Sequence, residues 1–351
     1  MPVLLTEVNS IATKQIMPGV VDQFFKAGPL VAFARRRFNR RWAGPQIQEN
    51  YLYRPMHGRA YAKGGGFNTD KRQTHTGMLF TPRYYYVNVT EFLEDLEVEM
   101  AGPTAMFSKL KLDMQTGGFT MSSILEIAMH RHGQNVAGDD RSLEINGIEE
   151  AFNDGVNASW NGTVFPSYGG QTRADVNGAL NSPRGLVTEN INGGIGFREL
   201  MHSYISTVIG GEAPPIGITS NRGFAFISEA FHPSQRVDAT APEINWPGMK
   251  FPFNNAVIVI SQYIPSQDGV NDPDLGDYSN TSEILEWINP GPTGDMAYLR
   301  FYIAQSRKFA FGFTGFKGAR DDNQISGQIL FAGNLVYRTP RYSRTLYGIT
   351  E

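Results

Sequence analysis

The residues with the most recognisable chemistry are two histidines, His130 and His132, followed closely by the carboxylates Asp139 and Asp140. On a β-strand, residues two positions apart share a face, so this pair could bind a metal ion such as zinc. Near the end of a helix the two imidazoles point apart, and a basic residue complements the negative end of the helix dipole. Because apolar residues at helical spacing lead up to His130, the second interpretation is favoured.

A glycine-rich segment, residues 192–196, precedes a predicted helix and offers backbone amides that could bind a phosphate. It matches neither the Rossmann fingerprint nor the Walker A motif, since the required lysine is missing. The glycines that follow Lys63 fail the same comparison. Both segments are therefore predicted to be glycine-rich turns. An α/β enzyme acting at residues 193–196 is retained as a minor alternative.

A polar segment near residue 275 raises the question of a calcium site. Its acidic residues are Asp268, Asp272, Asp274, Asp277 and Glu283. An EF-hand loop requires glycine at its sixth position, and Gly276 is out of that register. Signatures of serine hydrolases, zinc proteases and kinases are missing as well. The sequence thus predicts a solvated loop, no catalytic residue, no metal site and no cofactor.

Composition narrows the class of protein further. The chain has no cysteine, which excludes disulfides, thiolate metal sites and cysteine nucleophiles, and favours synthesis in a reducing compartment. The N-terminus does not resemble a signal peptide, and no apolar stretch is long enough to span a bilayer. With 41% apolar, 12% aromatic and only 19% charged residues, a folded protein rich in β-structure is expected.

The strongest local feature is an uneven distribution of charge. Between residues 35 and 83, eleven Lys or Arg side chains face only two acidic ones, which gives +9; the net charge of −3 therefore requires −12 elsewhere. An acidic run follows at once, from residue 91 to residue 99. Oppositely charged neighbouring segments in a nearly neutral protein indicate contacts between copies in an assembly. A nucleic-acid binder is more often basic overall.

The basic stretch is predicted to contain a long β-hairpin, with extended segments at about 46–62 and 78–90 around the glycine-rich tip KGGGFNTDKRQT. The hairpin strands lack a strong apolar face, so they need another surface to lie against. Apolar spacing elsewhere predicts short amphipathic helices in 4–27 and a long helix in 91–134. Alternating helices and strands follow in 144–270, and strands complete the chain, which indicates an α+β fold.

This order of segments resembles the major capsid proteins of tailed double-stranded-DNA bacteriophages, with the Hong Kong 97-type capsid fold. In that family an N-terminal arm is followed by an extended β-hairpin (the E-loop), the long spine helix of a peripheral domain, an axial α+β domain and returning strands. Three stretches are similar to phage coat sequences: INGIEEAFNDG, TVFPSYGGQTR and GNLVYRTPRYSRTLYGI.

The resemblance implies four parts: an N-terminal arm (1–45), the E-loop (46–90), a peripheral domain (91–143 with about 283–351) and an axial domain (144–282). It implies a structural, non-enzymatic protein that forms the hexamers and pentamers of an icosahedral head and contacts the packaged double-stranded DNA non-specifically. Synthesis and assembly in the host cytoplasm, location in the virion and no membrane contact are expected. Portal, scaffolding and decoration proteins are implied partners, although assembly without scaffolding is equally consistent with the short arm.

The predicted contact between subunits pairs the two charged segments. Exposed ion pairs contribute about 0–1 kcal/mol each, so they would set the register while apolar burial supplies most of the affinity. A nucleic-acid-binding protein that uses the cluster at 35–41 is the alternative function. The basic side of the contact comprises Arg35, Arg36, Arg37, Arg40, Arg41, Arg54, Arg59, Lys63, Lys71 and Arg72. The acidic side, on an adjacent copy, comprises Glu91, Glu94, Asp95, Glu97 and Glu99.

Overall fold

The structure is a computed structural model that describes residues 28–52, 56–92, 103–173, 185, 189–208, 211–231, 238–241, 246–251, 256–267, 270–272, 276–278, 282–292, 297–318 and 324–350. The helices of these ranges are α1 Pro29–Phe38, α2 Pro103–His130, α3 Ile148–Phe152, α4 Phe197–Ile205 and α5 Asn221–Ala230, with short 3-10 turns at Arg307–Phe309 and Pro340–Tyr342. The strands are β1 Asn39–Trp42, β2 Ile47–Leu52, β3 His75–Phe80, β4 Arg83–Phe92, β5 Asn135–Val136, β6 Asp139–Asp140, β7 Ser167–Tyr168, β8 Gln171–Thr172, β9 Glu189–Gly193, β10 Ile216–Thr219, β11 Asp238–Ala241, β12 Trp246–Lys250, β13 Val257–Ile260, β14 Val270–Asp272, β15 Gly276–Tyr278, β16 Glu283–Ile288, β17 Leu299–Ala304, β18 Ala310–Phe313, β19 Lys317–Gly318, β20 Gln324–Tyr337 and β21 Arg344–Ile349.

The long strand β20 organises a six-stranded sheet. It pairs with β4 along one side and with β17, β18 and β19 along the other, and β1 joins β17 in parallel. The long helix α2 packs on this sheet. At Gly117 the helix lies so close that an added Cβ would be 3.2 Å from side-chain carbons of Val89 and Ile329. Glycine here permits close packing, and the helix continues through it without a break.

The predicted hairpin exists, but both of its strands are shorter than expected: the first ends at Leu52 instead of near residue 62. β2 pairs antiparallel with β3 only as far as Phe80. The rest of the segment predicted as 78–90 is a separate strand, β4, which belongs to the six-stranded sheet. The base of the hairpin also has an apolar face that the sequence analysis missed, because Ile47, Tyr51, Met78 and Phe80 are buried in the main core.

A seven-stranded sheet forms the second half of the fold, in the order β11-β12-β13-β10-β16-β21-β9. Successive side chains of a strand point to opposite faces. Leu285 and Trp287 therefore pack against the layer of α4 and α5, while Val257 and Val259 belong to the main core on the other face. The helices and strands predicted between 144 and 270 are confirmed here, and the C-terminal segment 283–351 contributes strands to both sheets.

The helical tract predicted over 91–134 is divided, because the long helix begins at Pro103 and residues 91–92 are the end of β4. No helix was predicted at residues 29–38, which form α1. The helices predicted in 4–27 lie outside the described residues. Among the helices that the structure describes, none has the length and apolar composition needed to cross a bilayer.

Candidate functional site

The hairpin tip is the most exposed described feature of the molecule. Every residue from 56 to 71 is exposed, including three large apolar side chains: Met56 (75%), Tyr61 (62%) and Phe67 (71%). Tyr61 and Phe67 contact each other with ring centroids 4.8 Å apart. Apolar groups gathered on a projection of this kind are typical of a protein–protein contact. The tip also has the predicted contact residues Arg59, Lys63, Lys71 and Arg72, the last half-buried.

The arginine cluster lies apart from this tip, on the six-stranded sheet. Residues 35–37 form the last turns of α1, and Arg40 and Arg41 lie in β1. The pairing of β1 with β17 sets Arg41 beside Ile303, and the Arg41 guanidinium donates to the carbonyl oxygen of Ala304 at 3.2 Å. Residues 28–42 of the predicted N-terminal arm therefore pack on the body of the chain, and residues 39–42 belong to the six-stranded sheet.

The acidic side of the predicted contact is only partly described. Glu91 is buried in β4, where its carboxylate is 2.6 Å from the Lys109 ammonium nitrogen. Beside it, burial and a hydrogen bond with Glu91 raise the pKa of Asp113 to about 6. Glu91 is thus occupied within its own chain, which argues against a contact with another subunit. Arg54, Glu94, Asp95, Glu97 and Glu99 lie outside the described residues.

A buried ionic junction, which the sequence analysis did not predict, joins three elements. The carboxylate of Glu126 in α2 accepts hydrogen bonds from the backbone amides of Leu30 (2.8 Å) and Val31 (2.6 Å), the first turn of α1. On its other side, His130 Nε2 lies 3.6 Å from Glu126, and His130 Nδ1 lies 2.8 Å from Glu286 of β16. An added Cβ on Gly28 would be 2.3 Å from the Glu126 carboxyl carbon, so the close approach requires glycine.

The junction is charged at neutral pH despite its burial. Burial by itself lowers the pKa of an imidazole, but the charges of Glu286 and Glu126 and the hydrogen bond with Glu286 outweigh it and raise the pKa of His130 to about 10. Burial in turn raises the pKa of Glu286. The positive end of the α1 dipole faces the Glu126 side chain from the other side. Burial of Glu126 and His130 four positions apart on α2 is a signal that the sequence contained, since charged residues rarely occupy the buried face of a helix.

The two histidines considered for a metal site have different partners. His132 Nε2 lies 3.3 Å from Asp139, far along the chain from the carboxylates that contact His130. Burial lowers the pKa of His132, with Asp139 opposing the shift. Within the described ranges no group of three or more ligand-type side chains is arranged to hold a metal ion. The pair therefore serves two separate structural contacts.

The glycine-rich segment before α4 is unsuited to phosphate. An added Cβ on Gly196, the residue that precedes the helix, would lie 2.3 Å from a carboxylate oxygen of Glu199. A negative side chain is thus already present at the helix N-terminus, where a phosphate would have to bind. Of the acidic residues of the calcium hypothesis, Glu283 is buried and accepts a hydrogen bond from the amide of Gln267.

The three stretches that are similar to phage coat sequences meet at one place in the fold. Asn334 donates to the side-chain oxygen of Asn146 at 2.7 Å, and the backbone amide of Asn146 donates back at 2.9 Å. Buried Arg173 donates to the backbone carbonyl oxygens at the end of α3. The rings of Phe152 and Tyr337 pack edge to face at 5.0 Å. These stretches therefore connect the two sheets through buried hydrogen bonds and packed aromatic rings.

Solved structures with a similar fold include two capsids and an encapsulin complex. The chain is similar to the capsid of cyanophage A-1(L), with a TM-score of 0.63 and 12% identity over 92% of this chain and 93% of that chain. It is also similar to the capsid of the empty GTA particle, with a TM-score of 0.55 and 7% identity over 91% of this chain and 90% of that chain. A third similar structure is the holo-SrpI encapsulin complex from Synechococcus elongatus PCC 7942. Its TM-score is 0.54, with 8% identity over 90% of this chain and 86% of that chain.

By sequence, no family model matches the chain and no curated protein matches it. The likeness to capsid structures extends over nine-tenths of the chain and is a likeness of fold at very low identity. The strand-rich α+β architecture described above agrees with this likeness. The chain therefore has the Hong Kong 97-type fold of the major capsid proteins.

Proposed function

We propose that the protein is the structural subunit of an icosahedral bacteriophage head, which assembles from its hexamers and pentamers around double-stranded DNA. The observation that carries this proposal is the hairpin tip, whose apolar side chains at 56–71 are exposed although its base is anchored in the core. Such a projection gains stability only when another surface covers it. The similarity to capsid structures supports a second copy as that surface.

The form of the contact follows from its asymmetry. The tip of one subunit and the surface it covers on the next are different, so the contact is heterologous and repeats around a ring until the ring closes. Subunit interfaces that persist bury roughly 2,000 Å² or more and are rich in aromatic residues and arginine. Tyr61, Phe67 and Arg59 give the tip this composition. We propose that its cations lie over Glu94, Asp95, Glu97 and Glu99 of the adjacent subunit.

The remaining parts of the proposal concern what surrounds and fills the shell. We propose the virion as its location, after synthesis and assembly in the host cytoplasm. A portal protein, with separate scaffolding or decoration proteins, completes the set of partners. The chain is similar to an encapsulin complex as well as to capsids, so an experiment must decide what the particle contains.

The deciding experiment is negative-stain electron microscopy of the purified full chain together with its sedimentation profile. We expect uniform closed particles that sediment as one fast species. Nuclease treatment after disruption, with absorbance spectra before and after, then measures whether the particles formed in the host contain DNA. A stable monomer under every assembly condition contradicts the shell function, while closed particles filled with protein and free of DNA contradict only the phage-head assignment.

A further inference from the structure

A second charged surface lies where β1 meets the turn after β17. The parallel pairing of these strands ends at Trp42 and Ala304, and the backbone amide of Gln305 donates to the carbonyl oxygen of Trp42 at 2.7 Å. This bond holds the 3-10 turn Arg307–Phe309 beside β1. Arg41 and Arg307 consequently line one shared cleft of about 370 Å³.

The surface has one sign of charge. From residue 28 to residue 48 and from residue 305 to residue 318 the sequence has no Asp or Glu. The same two segments contain eight cations: Arg35, Arg36, Arg37, Arg40, Arg41, Arg307, Lys308 and Lys317. Of these, Arg41, Arg307 and Lys308 are exposed at this end of the sheet. A cluster of like charges repels itself, and it is stabilised when an external polyanion binds.

The cations of this cleft are not neutralised by the fold. Within the described ranges, no ion pair forms at Arg41, Arg307 or Lys308; Arg41 donates to a carbonyl oxygen, and the Lys308 ammonium lies 6.0 Å from the Phe309 ring. All three side chains are exposed. The next carboxylate along the chain, Glu49, is buried and bound by Arg300 and Tyr302. The cleft therefore presents its guanidinium groups to solvent.

The charge count favours phosphate over a protein partner. The proposed contact between subunits has four carboxylates, at residues 94, 95, 97 and 99, and the hairpin supplies five cations for them. Arg41, Arg307 and Lys308 have no acidic counterpart in that pairing. Arginine forks bind phosphate oxygens with two parallel hydrogen bonds, and they are favoured wherever nucleic-acid backbones are recognised.

We infer that the surface formed by β1 and by residues 305–309 binds the phosphate backbone of nucleic acid, without reading its sequence. The assignment of this surface as the face turned towards the interior of the shell rests on the proposed function; the binding itself does not. Binding of this kind depends steeply on salt, since each phosphate contact changes the slope of log affinity against log salt by about −0.9.

The test measures the affinity of the full chain for a short fluorescent DNA duplex at several salt concentrations. The cleft variant Arg41→Gln, Arg307→Gln, Lys308→Gln removes two cations from the cleft and a third from the turn beside it. The control variant Lys111→Gln, Arg198→Gln, Lys250→Gln removes three exposed cations elsewhere. We expect the cleft variant to bind at least about tenfold more weakly, with a salt slope smaller by about 2–3. The control should retain most of the affinity. Equal losses in both variants, or no loss in the cleft variant, overturn the inference.

Electron micrographs of the same preparations separate this inference from the shell proposal. If the cleft variant forms normal particles that contain less nucleic acid, both proposals are supported. If it fails to assemble although its affinity for DNA equals that of the wild type, the surface is a contact between subunits and the inference is wrong. A wild-type chain that never assembles but binds DNA through this cleft refutes the shell function alone. Thermal unfolding of both variants checks that they are folded.

Discussion

At the scale of single residues, the polar groups that the fold buries are structural, and Glu149 in α3 is the clearest example. Ser159 donates to one oxygen of its carboxylate, and the other oxygen has no hydrogen-bond partner among the described residues. Burial raises the pKa of Glu149 from 4.5 to about 8, against the lowering effect of the Ser159 hydrogen bond. The side chain is therefore mostly protonated at neutral pH.

This shift predicts a loss of stability on the alkaline side. Because the folded state binds the proton more tightly, the free energy of unfolding falls as pH rises from about 4.5 to about 8, by up to about 1.4 kcal/mol per pH unit. Glu149→Gln keeps a neutral side chain of the same shape, so it should flatten this dependence. The melting temperature of both proteins, measured from about pH 5 to about pH 8, checks the prediction.

The raised pKa of His130 also lowers the free energy of unfolding as pH rises, beginning above pH 6.5 and ending near pH 10. This effect is present in both proteins, so only the difference between their pH profiles reports on Glu149. Identical pH profiles for the wild type and Glu149→Gln would show that Glu149 is ionised in the folded state and that the assignment is wrong.

At the scale of elements, the hairpin divides into a base that stabilises the fold and a tip that does not. We expect that replacing residues 56–73 by a short Gly-Ser turn leaves the melting temperature unchanged and abolishes particle formation. The matched contrast is Met78→Ala in the base, which should cost about 2–5 kcal/mol because Met78 is fully buried. Circular dichroism and sedimentation measure the two effects. Normal particles from the tip-replaced chain would contradict the proposed contact.

The same elements show what the sequence could predict. α4, α5 and β10 have local signals, such as Ser220, which caps α5 by accepting a hydrogen bond from the amide of Gly223. α1 has no such signal. The backbone amide of Leu30 in its first turn donates to Glu126, 96 positions away along the chain, and its last part contains three consecutive arginines. The junction at Glu126 depends on tertiary packing, which the spacing of apolar residues does not encode. The division between β3 and β4 arises because β3 pairs with β2, whereas β4 pairs with the distant strand β20.

At the scale of the whole molecule, the prediction concerns the charged contact between copies. Glu94→Lys with Glu97→Lys should block particle formation and leave the folded monomer intact, because like charges then face each other across the contact. Adding Arg59→Glu and Lys63→Glu to the same chain should restore particles, since every copy presents both halves of the contact. Sedimentation and micrographs provide the measurement.

The control reverses two exposed carboxylates elsewhere, Glu199→Lys with Glu229→Lys, and it should assemble normally. Failure of the four-fold charge exchange to restore particles would refute this pairing, although not the shell function. The α+β class, the hairpin and the long helix were predictable from the sequence. The pairing between copies was predictable only as a hypothesis, because a single chain has no information on its neighbour's position.

The buried junction of Glu126, His130 and Glu286 has a consequence for how the subunit responds to force. It ties the first turn of α1, the end of α2 and the middle of β16 into one electrostatic unit. Removing His130 leaves two carboxylates without their counter-ion in the interior, which is far more costly than losing an exposed pair. We therefore expect the three elements to move together under load, so that tension applied at the N-terminal end of α1 is transmitted to the seven-stranded sheet.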